Sequence, residues 1–296
     1  MQKFILLGLI FTLSLYGIES YTVNIKTYQE GENHFIITRS FSDKGHLFYL
    51  STNTQSLQTH IIPAHTIIPK ALGAHFQTTL FSKLLRDATA LHVKGGTPHA
   101  RTQKPKAVFL TMDMCPSHKL GYERDFITYL TTLNGKTPIA IAITSAWIEH
   151  HPQAFEELRS HPLLDITWVN HTHTHFYDKT LPNHKNFMLH PDTDVAREIL
   201  ELEKTLIEKG MTPSVFFRFP GLIADETLMN ALREIYFLIP LGADAWIAKH
   251  ENVREGSFIL IHGNKNEPEG ITLLEQMLPQ LLKRYTFKSI EEAFVP

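Results

Sequence analysis

The chain has 296 residues, of which 43% are hydrophobic and 20% charged, a composition typical of globular proteins with one large or two modest cores. Its formal net charge is −2, so no broad basic surface argues for nucleic acid or anionic lipid as a partner. A neutral partner such as a glycan fits this charge balance better. The one cysteine, Cys115, excludes an intramolecular disulfide.

The amino terminus has the layout of a secretory signal. Lys3 precedes an apolar run from Phe4 to Gly17, and polar sequence begins after Ser20. The run is too short for a comfortable membrane span. We therefore predict that residues 1–20 are a signal peptide for export to the periplasm or the cell exterior, without stable membrane insertion. An uncleaved anchor is the alternative, because Ile18 is not a small residue at the cleavage site.

Residues 21–94 are predicted to form a small β-rich region with one helix. Apolar and polar residues alternate in Tyr21–Ile25 and His34–Thr38, and the helix is predicted from about Ala74 to Ala90. Gly, Pro, Thr, Lys and Arg cluster in residues 95–105, which predicts a linker to a second domain. The role of the β-rich region stays open among glycan binding, capping of the second domain and self-association.

From residue 106 to 296, short apolar runs alternate with amphipathic helical segments. Seven runs predict strands: Ala107–Asp113, Ile139–Thr144, Asp165–Asn170, Ser214–Phe219, Phe237–Leu241, Phe258–His262 and Tyr285–Ser289. The clearest helices are predicted over Asp192–Lys209 and over Ala146–Arg159, the latter with Ser145 as N-cap. This alternation predicts an α/β fold, and seven strands in this length favour a distorted parallel β/α barrel.

Polar side chains collect where these predicted strands end. They are Asp113, the histidines of residues 171–175, Arg218, Asp244 and His262. In parallel β/α architectures, active sites are built at the carboxyl edge of the sheet. Agreement among five separate strand ends therefore predicts an active site there.

The segment Asn170–His175 is the most specific local signal. Histidines four residues apart can bind one metal ion if the backbone coils, whereas an extended backbone would put His171, His173 and His175 on a common face. Either geometry brings two imidazoles together. A solvated histidine-rich loop is the alternative, because the chain carries 18 histidines.

Two charged residues and one histidine stand in strands that are otherwise apolar. A buried Arg218 facing a buried Asp113 would keep the carboxylate ionised and oriented, as a general base requires. A purely structural ion pair is the alternative. His262 ends another apolar strand, where a lone histidine is more often a hydrogen-bonded core residue. Its place on the same predicted rim favours a catalytic role.

These residues resemble the motifs of the polysaccharide deacetylases of the NodB-homology type, carbohydrate esterase family four. The likeness covers about residues 106–290 and keeps the order of the family's motifs. The matching segments are Thr111–Met114, His171–His175, Arg218–Gly221, Asp244–Trp246 and Leu260–His262. The resemblance implies a hydrolase that removes N-acetyl groups from a glycan, such as peptidoglycan, a chitin-type oligomer or an exopolysaccharide.

The resemblance also assigns catalytic roles. Asp113 would be the general base and Arg218 would orient it. His262 would protonate the leaving amine, and Asp244 would hold its imidazole.

Binding roles follow from the same resemblance. His171 and His175 would bind a divalent metal, zinc being the ion that nitrogen ligands favour. The backbone N–H of Gly221 would stabilise the oxyanion, and Trp246 would border the substrate.

One position departs from the family pattern. Met114 stands where the family has a second aspartate as a third metal ligand, and a thioether is a poor zinc ligand. Asp113, His173 or Cys115 could complete the ligand set, or the ion could bind weakly. Restoring the carboxylate by Met114→Asp is predicted to tighten zinc binding. The departure also leaves a second hypothesis, a catalytically inactive relative that serves as a glycan-binding or structural module.

Overall fold

The computed structural model describes residues 17–87 and 95–295. Most of the predicted signal peptide, residues 1–16, and the end of the predicted helix beyond Asp87 lie outside these ranges. Within the described ranges, none of the helices has both the length and the apolar character needed to span a membrane.

The amino-terminal region is an antiparallel meander whose strands are ordered as they follow in the chain. The strands are β1 (Glu19–Glu30), β2 (Asn33–Asp43), β3 (His46–Asn53) and β4 (Thr59–Pro63). Lys44 and Gly45 form the two-residue turn between β2 and β3, and both have positive φ, as tight hairpins of this kind require. The predicted helix begins with a 3-10 turn at Ala74–Thr78 and becomes α-helical only in α1 (Leu80–Asp87).

The rest of the chain forms a curled parallel sheet covered by helices. Its strands are β5 (Ala107–Met114), β6 (Thr137–Ile143), β7 (Leu164–Asn170), β8 (Phe216–Phe217), β9 (Ile239–Pro240), β10 (Ala245–Trp246), β11 (Phe258–His262) and β12 (Thr286–Phe287). Its helices are α2 (Arg124–Asn134), α3 (Ser145–His150), α4 (Pro152–Arg159), α5 (Val195–Glu208), α6 (Glu226–Glu234) and α7 (Pro268–Arg284).

The strands lie in the order β10-β11-β5-β6-β7-β8-β9, and β12 pairs with the start of β5. All seven predicted runs contribute a strand, and β10 is an addition. The structure therefore confirms the predicted distorted parallel β/α barrel and the β-rich region before it.

One predicted helix is divided. The segment Ala146–Arg159 forms α3 and α4, with a break at His151, whose φ of −131° and ψ of 52° are not helical. Pro152 causes the break because it lacks an N–H and disfavours the helical region for the residue before it. The N-cap is Thr144, which accepts a hydrogen bond from the backbone of Trp147, and not Ser145 as predicted.

The two faces of β5 show how the core is divided. Val108, Leu110, Met112 and Met114 pack outward in the apolar cluster beneath the helices. Phe109 points inward, into a second apolar cluster. This alternation follows from the two-residue period of a strand.

The inward cluster is shared between the barrel and the amino-terminal region. Phe216 and Phe258, near the amino ends of their strands, belong to one apolar cluster with Ile36, Leu57 and Phe81 of that region. The amino-terminal region therefore covers the end of the barrel opposite to the predicted active site. Capping is the one of its three predicted roles that this packing supports.

The predicted linker also belongs to the barrel. Thr97 forms a parallel bridge with Leu241 after β9, and His99 forms an antiparallel bridge with Ser257 before β11. A Cβ atom on Gly96 would lie 2.5 Å from the Pro240 backbone, so only glycine permits this approach. Residues 95–101 thus run from β9, at one edge of the curled sheet, to the start of β11, the strand next to the other edge.

Candidate active site

Four of the predicted side chains meet at the carboxyl rim of the barrel. Asp113 of β5 and His262 of β11 are direct neighbours in the parallel register. His171 follows β7, and the backbone N–H of Arg218 donates to the Asn170 carbonyl at 2.8 Å. Because parallel strands end at the same edge, four strands place these groups around one site.

Asp113 and Arg218 form a buried ion pair. Nη1 of Arg218 donates to Oδ1 of Asp113 at 3.3 Å, and Nη2 donates to Oγ1 of Thr111 at 3.1 Å. Asp113 is 4% exposed and Arg218 is 1% exposed. Burial lowers the pKa of the guanidinium, while the Asp113 carboxylate opposes this shift. The pair holds the carboxylate in one orientation, as the sequence predicts.

The histidine-rich segment coils after β7. Thr172 and His175 have φ values of 77° and 51°, which turn the chain so that His171 and His175 face each other, with ring centroids 4.8 Å apart. Nδ1 of His171 lies 2.8 Å from the Arg218 carbonyl, which leaves Nε2 as the free nitrogen. His173 is not part of the cluster that His171 and His175 form among the described residues, so the extended geometry with three histidines on one face is not the one observed.

A buried carboxylate on α5 fixes this coil. Glu198 accepts hydrogen bonds from the backbone N–H of Thr174 at 2.9 Å and from its hydroxyl at 2.6 Å. It also accepts one from the backbone N–H of His175 at 3.4 Å. Glu198 was not among the residues predicted from the sequence. The sequence feature that could have identified it is an acidic residue within the apolar stripe of an amphipathic helix, next to Ile199.

A potential metal site lies where the coil meets the end of β5. The sulfur of Cys115 and one nitrogen each of His171 and His175 all lie within 4.8 Å of one another. Sγ of Cys115 is 3.5 Å from Nε2 of His171. Nε2 of His175 is buried without a hydrogen-bond partner among the described residues. One sulfur and two nitrogens at this spacing fit a divalent cation.

The surroundings of Cys115 favour its thiolate form. Burial raises the pKa of the thiol, but the imidazoles of His175 and His262 together outweigh burial and lower the pKa to about 7. The thiolate is the form of cysteine that binds metals.

Met114 lies on the other side of the strand. Its side chain is fully buried in the apolar cluster beneath the helices, with Met112 and Trp147. This burial argues against the prediction that a carboxylate at position 114 would restore a metal ligand.

His262 is held by a residue that the sequence analysis did not identify. Nδ1 of His262 lies 2.8 Å from Oε2 of Glu267, and the same oxygen accepts a hydrogen bond from Nε1 of Trp246 at 2.9 Å. Burial lowers the pKa of His262, but the nearby Cys115 and the hydrogen bond with Glu267 reverse this effect and raise it well above its usual value. The Trp246 ring lies 5.6 Å from that of His262, so this tryptophan borders the site.

Asp244 does not hold His262. Its Oδ2 lies 2.7 Å from Nδ1 of His99, and its Oδ1 accepts a hydrogen bond from the backbone N–H of Phe258 at 3.0 Å. Phe258 begins β11 whereas His262 ends it, and four residues of a strand span about 13 Å. The predicted role of Asp244 is therefore wrong, because this carboxylate lies at the amino end of the barrel.

Gly221 lies beside the histidine coil. It has φ of 63°, and a Cβ atom there would lie 2.9 Å from the Phe187 ring. That ring in turn lies 5.5 Å from the ring of His175. Both the backbone conformation and the close ring require glycine here.

Known proteins resemble this chain in sequence and in fold. The sequence model of the family described as polysaccharide deacetylase matches residues 100–237. A family 4 carbohydrate esterase from Bacillus anthracis is 20% identical, with a TM-score of 0.53 over 72% of this chain and 91% of that one. PdaA of Bacillus subtilis, also a family 4 carbohydrate esterase, is 16% identical, with a TM-score of 0.51 over 76% and 90%.

A third solved structure, the peptidoglycan N-acetylglucosamine deacetylase Bc1960, is 18% identical, with a TM-score of 0.50 over 70% of this chain and 95% of that one. At these identities the three structures establish a common fold. Together with the family match over residues 100–237, they confirm the resemblance to the polysaccharide deacetylases that the motifs indicated.

Proposed function

We propose that this protein is a metal-dependent hydrolase that removes N-acetyl groups from a glycan. One observation carries the proposal. A single rim combines a carboxylate oriented by a buried arginine, an imidazole oriented by a second carboxylate, and a cluster of cysteine and histidine donors. These are the groups that metal-assisted hydrolysis of an amide requires: a base, an acid and a Lewis-acid site.

The substrate class follows from the family and from the charge balance. The family match supports acetylated glycans in general, and a net charge of −2 gives no reason to favour an anionic polymer. Peptidoglycan, chitin-type oligomers and exopolysaccharides all contain N-acetylated sugars. One structure of similar fold is described as a peptidoglycan N-acetylglucosamine deacetylase, so peptidoglycan is the first substrate to test.

The residues of the rim divide the reaction between them. His171 and His175 would hold a divalent cation, zinc in our proposal, which would supply a Lewis acid for the acetamide carbonyl and lower the pKa of the attacking water. Asp113 accepts a proton from that water as its oxygen bonds to the carbonyl carbon. His262 donates a proton to the amide nitrogen as the C–N bond breaks. The products are acetate and the free amine of the sugar.

Neighbouring groups position the two catalytic residues and the substrate. A buried hydrogen bond from Arg218 orients Asp113. A partly buried hydrogen bond with Glu267 orients His262. We assign the backbone N–H of Gly221 as a donor to the oxyanion that forms during attack. The half-buried ring of Trp246 offers an apolar surface to the sugar ring.

We further propose that the protein is exported. The signal-like run comprises mainly residues 1–16, which precede the described part of the chain. Ile18 is buried, and its backbone N–H donates to Oε1 of Glu208 at 2.9 Å. Because this contact anchors the start of β1, we expect cleavage by a signal peptidase before Ile18, which shortens the signal peptide from the predicted residues 1–20. Sequencing of the amino terminus of the exported protein tests this point.

The test of the function is acetate release. The purified protein with one equivalent of Zn²⁺ is incubated with N-acetylated oligomers of peptidoglycan and chitin, and acetate is measured enzymatically. Asp113→Asn serves as a matched control of nearly equal volume. Acetate from the unmodified protein but not from the variant supports the proposal. Glycan binding without acetate from any oligomer would instead support the inactive relative.

A further inference from the structure

The resemblance to the family leaves the metal site without a third ligand at the end of β5, because Met114 stands where the family has an aspartate. The strand alternates strictly, with Val108, Leu110 and Met112 outward and Phe109 inward. By the same period, position 114 points outward and position 115 returns to the inner face, where Asp113 lies. The first inward-facing side chain after Asp113 is therefore the thiol of Cys115.

Three geometric observations converge on that thiol. Its sulfur lies 3.5 Å from Nε2 of His171, the nitrogen left free by the hydrogen bond at Nδ1. Nε2 of His175 lies in the same cluster and is buried without a partner among the described residues. The backbone of Cys115 is fixed as well, because Nδ2 of the fully buried Asn264 donates to its carbonyl at 2.8 Å.

The other candidates for the third ligand are less well placed. Asp113 is engaged by Arg218, and its nearer oxygen lies 3.8 Å from Nε2 of His171. His173 is outside the cluster that the described residues form, and its backbone N–H is bonded to the carbonyl of Glu198. Met114 faces the opposite side of the strand.

We infer that Cys115 is the third protein ligand, so that the chain holds its metal with one thiolate and two imidazoles. The inference deepens the proposed function and rests on its metal site. It has two consequences. A thiolate selects zinc and similarly thiophilic cations over magnesium, calcium or manganese, which prefer oxygen ligands. Asp113 remains outside the ligand set and is free to act as the base.

Cobalt spectroscopy tests the inference directly. A thiolate bound to Co²⁺ gives a sulfur-to-metal charge-transfer band in the near ultraviolet, which imidazole and carboxylate ligands do not give. The metal-free protein is titrated with Co²⁺, and zinc affinity is measured by competition with a chelator. Because Cys115 is the one cysteine of the chain, any such band comes from this residue. We expect the band to saturate at one Co²⁺ per chain.

Variants make the result specific. Cys115→Ser should lose the band and weaken zinc binding by about a hundred-fold or more, the upper end of the loss seen for outer-shell groups. Cys115→Asp should also lose the band but keep part of the affinity through its carboxylate. His173→Ala should keep both. The spectrum of the unmodified protein decides the question even if a variant at position 115 fails to fold.

Two results would overturn the inference: Co²⁺ bound at one per chain without the band, or Cys115→Ser binding zinc as tightly as the unmodified protein. Acetate release is measured separately. A charge-transfer band without acetate release would leave the ligand assignment intact and count against the deacetylase function. Acetate release without the band would do the reverse.

Discussion

The carboxylate of Glu267 and the imidazole of His262 form a hydrogen bond of 2.8 Å between the residue that precedes α7 and the last residue of β11. The bond engages Nδ1 and leaves Nε2 as the nitrogen that can reach a substrate. Trp246 donates to the same carboxylate oxygen, so the three side chains form one unit. This unit performs the role that the sequence assigned to Asp244.

We expect Glu267→Gln to lower the kcat of deacetylation about ten- to a hundred-fold with little change in KM, since such supporting groups commonly contribute this much. The substituted amide would keep the size of the side chain but lose the charge that orients the imidazole. Asp244→Asn is the matched control and should leave kcat nearly unchanged, because Asp244 contacts His99 at the other end of the barrel. Equal losses in kcat from both variants would contradict this assignment.

His262→Ala should leave folding and zinc content intact while lowering acetate release by about a hundred-fold or more, the typical contribution of a general acid. The physical reason is that an amine is a poor leaving group unless it is protonated. Circular dichroism and metal analysis accompany the kinetic assay. A variant that does not fold would instead indicate a structural histidine.

His171→Ala and His175→Ala should each abolish zinc retention, because each removes one of the few donors in the cluster. His173→Ala should retain the metal, since its ring lies outside the cluster of described residues. Zinc per chain is measured by mass spectrometry of the dialysed proteins. Comparable losses from all three would favour the extended geometry over the coil.

Met114→Asp should destabilise the protein by about 3 kcal/mol or more, because it leaves an unpaired carboxylate in an apolar cluster. Zinc affinity should not increase. Met114→Leu, which conserves volume, should cost less than about 1.5 kcal/mol. Urea unfolding provides both values. A gain in zinc affinity from Met114→Asp would mean that position 114 can turn toward the histidines.

Arg39→Ala should destabilise the protein by about 3–5 kcal/mol, the usual result of breaking a buried ion pair. The guanidinium makes two hydrogen bonds to Glu203 on α5, at 2.6 and 2.9 Å, and both side chains are buried. Arg124→Ala removes an exposed pair with Glu157 and should cost less than about 1 kcal/mol. Denaturant unfolding of both variants checks the difference. Equal losses in the free energy of unfolding would show that the buried ion pair stabilises the protein no more than the exposed one.

The sequence predicted the long strands and the groups at their ends, because apolar runs of five residues or more leave few alternatives. β5, β7 and β11 ended within one residue of their predicted limits. Asp113 and His262 consequently fell on the expected rim. The strands β8, β9 and β10 have two residues each, too few to show a period. This explains the error at Asp244, which precedes a strand instead of following one.

The supporting residues were harder to predict. Glu267 and Glu198 act through contacts that depend on how helices dock against the sheet. The apolar stripe of α5 marks Glu198 as a buried carboxylate, but no local pattern shows what it contacts. Cys115 differs, because the alternation of β5 placed it on the same face as Asp113. The resemblance to the family pointed to position 114 and left Cys115 as one of three possible substitutes, although the parity of the strand favours position 115.

The apolar cluster shared by the barrel and the amino-terminal region limits where the chain can be cut or joined to another protein. Phe109 and Phe258 of the barrel share one apolar cluster with three residues of the amino-terminal region, Ile36, Leu57 and Phe81. A fragment that begins near residue 100, where the family match starts, would lack these three residues. Its apolar surface at this end of the barrel would then be exposed to water. The barrel therefore needs the amino-terminal region to keep this part of its core covered. A chimera with a related protein would have to exchange the amino-terminal region and the barrel together, or cover this end of the barrel with other apolar residues.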